Sequence, residues 1–270
     1  MKKSLPIIKD DPWLQPFAPA IEGRHEDALK KKKELAGKGK LSDFANAYNY
    51  YGLHRTDNGW TFREWAPNAT DIYIVGPFNE WTECEPYRMK RLDDGNWEIN
   101  LPERAMAHGD LFKLHVHWNG GWGERIPAYA TRVVQDDTTK IFSAQVWSPE
   151  KPYEFKVHDF VPTVDPLLIY ECHIGMAQNM EAVGSYEEFR TEVLPRIVKL
   201  GYNAIQIMAI QEHPYYGSFG YHVSSFYAAS SRFGTPEELK RLIDDAHAHG
   251  LAVIMDLVHS HAVKNEVEGL

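Results

Sequence analysis

Between residues 48 and 147, apolar residues occur in short runs that are separated by turn sequences. Asp-Asn-Gly at 57–59, Asp-Asp-Gly-Asn at 93–96 and Asn-Gly-Gly at 119–121 are typical of hairpin turns. Short strands at this spacing predict an all-β sandwich of about 100 residues. The strands that the pattern predicts are residues 60–65, 71–75, 97–101, 111–118 and 141–146.

Beyond a proline-marked linker between residues 149 and 166, three apolar runs alternate with two helical patterns. Nearly continuous apolar strands in the order β-α-β-α-β predict a parallel sheet that is buried on both faces. Three such strands cannot close a barrel, so the pattern alone leaves two alternatives, a small open sheet or part of a larger domain. The predicted strands are residues 167–173, 204–210 and 251–258.

Capping sequences mark the helices of this second part. Ser185 and Glu188 predict a helix start, although Pro195 inside the apolar pattern predicts a kink or an early end. The next helix follows Thr235 as its N-cap and ends before Gly250.

The first part of the chain is predicted to be a charged helix through Ala36, with the basic run at 30–33 on a solvated face. It is an appendage, since no apolar pattern of its own supports a core. The pattern thus divides the chain into a helical extension at 1–46, a sandwich at 47–150 and the start of an α/β domain at 151–270.

Charge and hydropathy exclude several classes of protein. The formal net charge is -9 and the basic residues are scattered, which argues against nucleic acid as a partner. No apolar run approaches the roughly 18 residues that cross a bilayer, so no membrane association is expected. The first ten residues lack the apolar stretch of a secretory signal, which predicts a cytoplasmic protein.

The cysteine and aromatic counts bear on chemistry. Cys84 and Cys172 are far apart and form no C-x-x-C pair, so neither a disulfide framework nor a thiolate metal site is expected. No cofactor or metal is predicted. The chain has 8 Trp, 14 Tyr and 12 Phe, which suits stacking on sugars, although core packing explains aromatic residues equally well.

Polar residues follow the third apolar strand. Asp256, His259 and His261 lie where the carboxyl end of a parallel strand would form an active-site edge. A cap or loop anchor is the alternative for Asp256. The two histidines could also be zinc ligands, but only Asp256 lies nearby as a third ligand.

Several motifs together carry a resemblance to a known family. Asp256 with His261 resembles the first signature region of glycoside hydrolase family 13. The loop after the second strand, QEHPYYGSFGYH at 211–222, is similar to that of α-glucan branching enzymes, and YECHIGM at 170–176 resembles their first barrel strand. Similarity to the family 48 carbohydrate-binding module of the same enzymes is found in the segments 51–54, 62–68 and 76–81.

This resemblance implies an immunoglobulin-like sandwich followed by the first three strands of a (β/α)8 TIM barrel. It implies that Asp256 and His261 bind the hydroxyls of the sugar whose bond is broken, while Tyr221 stacks beneath that sugar. For Tyr221 the alternative is a loop aromatic that closes the barrel top. Secondary pocket residues, each of which could instead be a satisfied loop side chain, are Gln211, His213 and His222.

In the accessory module, Trp81 and Trp122 resemble the sugar-stacking tryptophans of the family. The alternative is that Trp81 packs the sandwich and Trp122 covers a glycine-rich turn. On the first barrel strand, alternation puts Glu171 and His173 on one face, where we predict a hydrogen-bonded structural pair.

The implied function is that of a 1,4-α-glucan branching enzyme, with α-glucan as the partner. The nucleophile and acid/base carboxylates of the family follow the fourth, fifth and seventh strands, so we predict no catalytic residue in this chain and no activity for it alone. The rival functions are a non-catalytic glucan-binding protein, another α-amylase-family hydrolase and a metal-dependent hydrolase.

Overall fold

The computed structural model describes residues 5–162 and 166–263, in two compact units, Met1–Tyr50 and Tyr51–Leu270. The first unit is helical, and its long helix ends at Ala36 as predicted, with the Gly37 N–H donating to the Lys33 carbonyl at 2.9 Å. That helix buries no side chain. The helices of this unit are α1 (Pro6–Asp10), α2 (Ala18–Ala36) and α3 (Leu41–Phe44).

The second unit begins with two antiparallel sheets that pack face to face, which confirms the predicted sandwich. One sheet has the strand order β1-β2-β5-β4, and the other has the order β3-β6-β9-β8 with β7 paired to β6. The strands are β1 (Gly52–Thr56), β2 (Gly59–Trp65), β3 (Ala69–Val75), β4 (Lys90–Arg91), β5 (Asn96–Leu101), β6 (Leu111–Trp118), β7 (Gly121–Arg125), β8 (Val133–Gln135) and β9 (Phe142–Gln145).

Alternating side chains fill the space between these sheets. Phe62 from β2 meets Phe112 from β6 edge-on at 6.1 Å between ring centroids. Ile72, Ile74 and Leu114 add fully buried aliphatic groups, each 1% exposed or less. Burial of large apolar side chains contributes roughly 1.5–3 kcal/mol each, so this core is the main source of the sandwich's stability.

After the linker, three parallel strands pair in the order β10-β11-β14. This confirms the predicted parallel sheet, although the second and third strands end three residues earlier than the apolar runs. After the second of these strands the chain leaves the sheet and forms a separate antiparallel pair of strands. The strands are β10 (Ile169–Cys172), β11 (Ala204–Ile207), β12 (Gln211–Glu212), β13 (Ser225–Ala229) and β14 (Ala252–Met255).

The two predicted helices are present between these strands. Helix α6 (Pro236–Ala248) follows a Thr235–Glu238 capping box as predicted. The helix after Ser185 starts as α4 (Tyr186–Glu188) and resumes as α5 (Leu194–Lys199), with a π-helical turn between them. Pro195 explains that wider turn, because its ring lacks an N–H and clashes with the carbonyl four residues earlier.

The linker is bound to helix α6 instead of crossing solvent. The carboxylate of Asp244, which is 1% exposed, accepts hydrogen bonds from the Tyr153 hydroxyl at 2.7 Å and from the backbone N–H groups of Lys156 and Val157 at 2.9 and 3.0 Å. Burial acts to raise the pKa of Asp244, but these three donors outweigh it and lower that pKa below its usual value.

Candidate functional site

Three residues that are distant in sequence meet beyond the end of β14. The Tyr221 hydroxyl donates to Asp256 Oδ2 at 2.8 Å, and His261 Nε2 lies 2.6 Å from the Tyr221 carbonyl oxygen. Asp256 is placed there by the sheet, because its own N–H donates to the Ile207 carbonyl at the end of β11. The structure thus brings Tyr221, Asp256 and His261 together.

The hydrogen bonds of this group define its protonation. Donation to Asp256, with partial burial, raises the pKa of Tyr221 to about 12, so the phenol is neutral at physiological pH. Because a carbonyl only accepts, His261 Nε2 must carry the hydrogen, and its Nδ1 lies 2.8 Å from the Ser260 hydroxyl. Both imidazole nitrogens are engaged within the loop, so His261 secures the backbone that carries Tyr221.

A glycine forces the tight backbone that presents Tyr221. Gly220 has φ of 90°, and a Cβ there would lie 1.7 Å from the Ala209 carbonyl oxygen. Phe219 before it is also left-handed, with φ of 54°. Only glycine fits this close approach to the chain beyond β11, which fixes where Tyr221 leaves the loop.

Gln211 and His213 face inward. Gln211 Oε1 accepts from the Val258 N–H at 2.9 Å and its Nε2 donates to the Phe226 carbonyl at 3.1 Å. His213 is fully buried and bonds the Gln211 carbonyl at 2.9 Å, and burial lowers its pKa, which keeps it neutral. This geometry favours the alternative of a satisfied loop side chain for Gln211, whereas the buried Nε2 of His213 has no hydrogen-bond partner among the described residues. Contact of either residue with substrate stays a prediction. His222 is exposed beside Tyr215.

Sequence reasoning missed the role of Glu212. Its carboxylate is 1% exposed and accepts from the backbone N–H of Ser231 at 2.7 Å and from the hydroxyls of Ser231 and Ser230 at 2.8 and 3.2 Å. Burial raises its pKa despite these donors. The Ser-Ser pair after β13 was the available signal, since two adjacent hydroxyls can satisfy one buried carboxylate.

The predicted pair between Glu171 and His173 is wrong. Glu171 is exposed and accepts from Gln206 on β11, while His173 is buried with its ring edge-on to Phe219 and Phe233, 5.4 Å from each. Strand β10 ends at Cys172, so the alternation does not continue to residue 173. Neither ring nitrogen of His173 has a hydrogen-bond partner among the described residues, and burial lowers its pKa.

The zinc alternative has no geometric support. His259 stacks on Phe226 with an interplanar angle of 3°, whereas His261 bonds the Tyr221 carbonyl. Within residues 5–162 and 166–263, no cluster of three or more His, Cys, Asp or Glu could hold a metal ion. In the same ranges no helix is long and apolar enough to cross a membrane.

The two predicted accessory tryptophans are on the surface of the sandwich. Trp81 is 37% exposed and Trp122 is 57% exposed. Trp122 lies on β7 beside His117 of β6, with 6.1 Å between the ring centroids. Both indoles therefore have accessible apolar area, although the structure alone leaves their contact with sugar a prediction.

Two parts of the chain match known protein families. Residues 50–130 match the carbohydrate-binding module 48 (isoamylase N-terminal domain), and residues 190–268 match the alpha amylase catalytic domain. The predicted resemblance is thereby confirmed for both parts.

Similar curated proteins include 1,4-alpha-glucan-branching enzymes of three distant organisms. The Yarrowia lipolytica protein is 46% identical over 99% of this chain, and those of Dictyostelium discoideum and Equus caballus are 42% and 41% identical over 98% of it. The chain spans only 40%, 40% and 39% of those relatives, respectively.

Among solved structures, two pullulanases share the fold. That of Bacillus acidopullulyticus aligns with a TM-score of 0.64 and 19% identity, over 81% of this chain and 30% of its own. That of Anoxybacillus sp. LM18-11 aligns with a TM-score of 0.60 and 23% identity, over 78% of this chain and 34% of its own. The predicted architecture of a sandwich followed by the start of an amylase-type barrel is confirmed.

Proposed function

We propose that this chain supplies the accessory module and the first three barrel strands of a 1,4-α-glucan branching enzyme, which cleaves an α-1,4 bond and transfers the chain to a 6-hydroxyl. The observation that carries the proposal is the contact among Tyr221, Asp256 and His261 at the carboxyl edge of the parallel sheet. The identity of 46% with a named branching enzyme over nearly the whole chain supports it.

The proposal gives each of these three residues a role that is compatible with its contacts. Because the Tyr221 hydroxyl is bonded to Asp256, the face of its ring is the part that offers contact to a pyranose. Asp256 uses Oδ2 for Tyr221, which leaves Oδ1 to accept a sugar hydroxyl. A carboxylate hydrogen bond of this kind strengthens as charge develops on the sugar toward an oxocarbenium ion. His261 maintains the position of Tyr221.

The chemical step belongs to the whole protein. The family resemblance puts the covalent nucleophile, the acid/base and the third aspartate after later strands than the three of this sheet. The proposed contribution of this chain is therefore to bind and orient the glucan.

The test uses amylose and the purified 270-residue chain. We expect no α-1,6 linkages by proton NMR of the product, and we expect branching when the corresponding protein from the native source is assayed under the same conditions. Formation of α-1,6 linkages by the chain alone would contradict the assignment of catalysis to other residues. Release of reducing sugar without branching by the native protein would favour a hydrolase.

Glucan binding without catalysis is the second candidate function, and the exposure of Trp81 and Trp122 favours it. The amylose assay distinguishes this candidate, because the native form of a binding protein shows no turnover. Such a protein still binds maltoheptaose. Trp81→Ala and Trp122→Ala are expected to weaken that affinity.

A further inference from the structure

One face of the outer sheet of the sandwich carries a row of ionisable side chains. On β6, Lys113, His115 and His117 alternate with buried or partly buried apolar residues, so they share the face away from the core. The register puts Glu124 of β7 opposite His115 and Trp122 opposite His117. These side chains thus surround Trp122, one of the two predicted accessory tryptophans.

A carboxylate from another segment binds this row. Glu83 Oε1 lies 2.8 Å from His117 Nε2 and 3.1 Å from His115 Nδ1. Because a carboxylate only accepts, both of these nitrogens carry hydrogen. We call this arrangement of Glu83, His115 and His117 the Glu83 bridge.

The Glu83 bridge is supported on its far side by a lysine. Lys113, whose side chain is 4% exposed, donates to Glu124 Oε2 at 2.6 Å, and Glu124 Oε1 lies 3.6 Å from His115 Nε2. Burial acts to raise the pKa of Glu124, but Lys113 and His115 outweigh it and lower that pKa. Lys113 thus holds the Glu124 carboxylate near the ring nitrogen of His115 that does not face Glu83.

The imidazoles of the bridge are in contact with Trp122. The ring centroid of Trp122 lies 5.1 Å from that of His115 and 6.1 Å from that of His117, at interplanar angles of 48° and 25°. More than half of Trp122 is still exposed, at 57%. The bridge therefore packs on one part of the indole and leaves another part free.

Glu83 also belongs to the loop of Trp81, two residues earlier. That loop has an unusual backbone, since Glu80 and Trp81 are both left-handed, with φ of 56° and 57°. On its upstream side the Trp81 N–H donates to the Gly76 carbonyl at 2.8 Å. On its downstream side Glu83 attaches it to β6.

We propose that the Glu83 bridge positions Trp81 and Trp122 relative to each other, so that the Trp81 loop and the β6-β7 hairpin form a single binding surface for α-1,4-glucan. This rests on the proposed function of glucan binding. Glu83, His115 and His117 act through the two indoles, and the indoles contact the sugars. Two indoles held at a constant separation lose little freedom on binding, which is the physical gain from the bridge.

The test compares maltoheptaose affinity of the whole chain and its variants by isothermal titration calorimetry. Glu83→Ala removes both acceptor contacts and should weaken binding about tenfold, whereas Glu83→Gln keeps an acceptor oxygen and should stay within about threefold of the parent. Glu85→Ala is the matched control, because it removes the same charge from the same segment without touching the histidines.

A spectroscopic readout separates positioning from general stability. In protein labelled with ¹⁵N-tryptophan, the indole N–H signals of Trp81 and Trp122 are assigned with the Trp81→Phe and Trp122→Phe variants. Glu83→Ala should shift both of these signals and leave those of the other tryptophans, among 8 in all, unchanged. Unchanged signals also show that the variant is folded.

Each outcome decides a different claim. If the parent chain binds maltoheptaose and Glu83→Ala binds it equally well, the positioning role is overturned while glucan binding stands. If only one indole signal shifts, the bridge does not join the two tryptophans and the proposal is again overturned. If the parent chain does not bind, accessory glucan binding itself fails, and the bridge loses its role with it.

Discussion

At the residue scale, the candidate site depends on close packing of backbone as much as on its polar groups. Asp256 and Tyr221 are 35 positions apart and meet because a loop with two left-handed residues returns to the sheet. The sequence resemblance identified both residues and His261. It could not show that His261 uses its two nitrogens within the loop, since the partners are a backbone carbonyl and a neighbouring serine.

Gly220→Ala tests this packing. The new Cβ would lie 1.7 Å from the Ala209 carbonyl oxygen. Because of this clash, we expect the substitution to lower the free energy of unfolding by at least about 2 kcal/mol more than backbone strain alone would. Gly109→Ala is the control, because its φ of 94° imposes similar strain with nothing within 4 Å. Urea denaturation measures both, and equal losses would contradict the steric argument.

Tyr221→Phe tests the role of the ring face. The variant keeps the aromatic face and frees Asp256, so it should retain maltoheptaose affinity within about threefold, while Tyr221→Ala should lose about tenfold or more. Titration calorimetry compares them in the whole chain carrying Trp81→Ala and Trp122→Ala, so that the accessory tryptophans do not contribute to the affinity. Equal losses in the two variants would show that the hydroxyl is the group that matters.

At the scale of elements, the helices and strands that depend on residues close in sequence were predicted, whereas those that depend on distant partners were not. Helix α6 was predicted almost to the residue because its capping box lies within four positions of Thr235. Strands β1, β7 and β8 of the sandwich were not predicted, whereas β2, β3, β5, β6 and β9 were predicted from short apolar runs between turn sequences. The short strands β4 and β12 were not, because two residues carry no period and their pairing depends on distant partners. The burial of Gln211 and Glu212 arises in the same way, from bonds to residues 15 to 47 positions away.

Asp244 controls how helix α6 holds the linker. Its folded pKa is lowered, so its stabilising effect is complete above the ordinary carboxyl pKa near 3.9 and is lost as pH falls below it. Asp244→Asn should cost about 1.5–3 kcal/mol at pH 7, and the difference from the parent should shrink as pH falls from about 5 to 3.

Thermal unfolding across that pH range measures the effect. Asp159→Asn, an exposed position in the same linker, is the control and should change little. A difference between Asp244→Asn and the parent that stays constant down to pH 3 would show that the carboxylate charge is not responsible.

At the scale of the whole second unit, a buried arginine joins the sandwich to the barrel strands. Arg132, on the sandwich, donates to the Gly234 carbonyl at 3.0 Å, just before helix α6, and its guanidinium lies 4.5 Å from the Trp147 ring centroid. Trp147 in turn donates to Glu237 on α6 at 2.6 Å. Sequence patterns could not show this, because the two parts carry separate periodicities.

Arg132→Met should uncouple the two parts. Methionine keeps an apolar side chain beside Trp147 but removes the bond to Gly234, so we expect a loss of about 1–3 kcal/mol and two unfolding transitions in place of one. Arg91→Met, at an arginine that bonds only within the sandwich, is the control. A single transition in Arg132→Met would contradict the coupling.

Because the linker is bound to helix α6, the sandwich and the linker cannot be exchanged together as one module. A cut near residue 150 looks like a natural boundary, yet Tyr153, Lys156 and Val157 are held by a carboxylate of the barrel part. A chimera that transplants the accessory sandwich together with this linker would separate Asp244 from its three donors and leave a buried charge without compensation. Successful grafts should therefore keep the linker with the barrel that receives the sandwich.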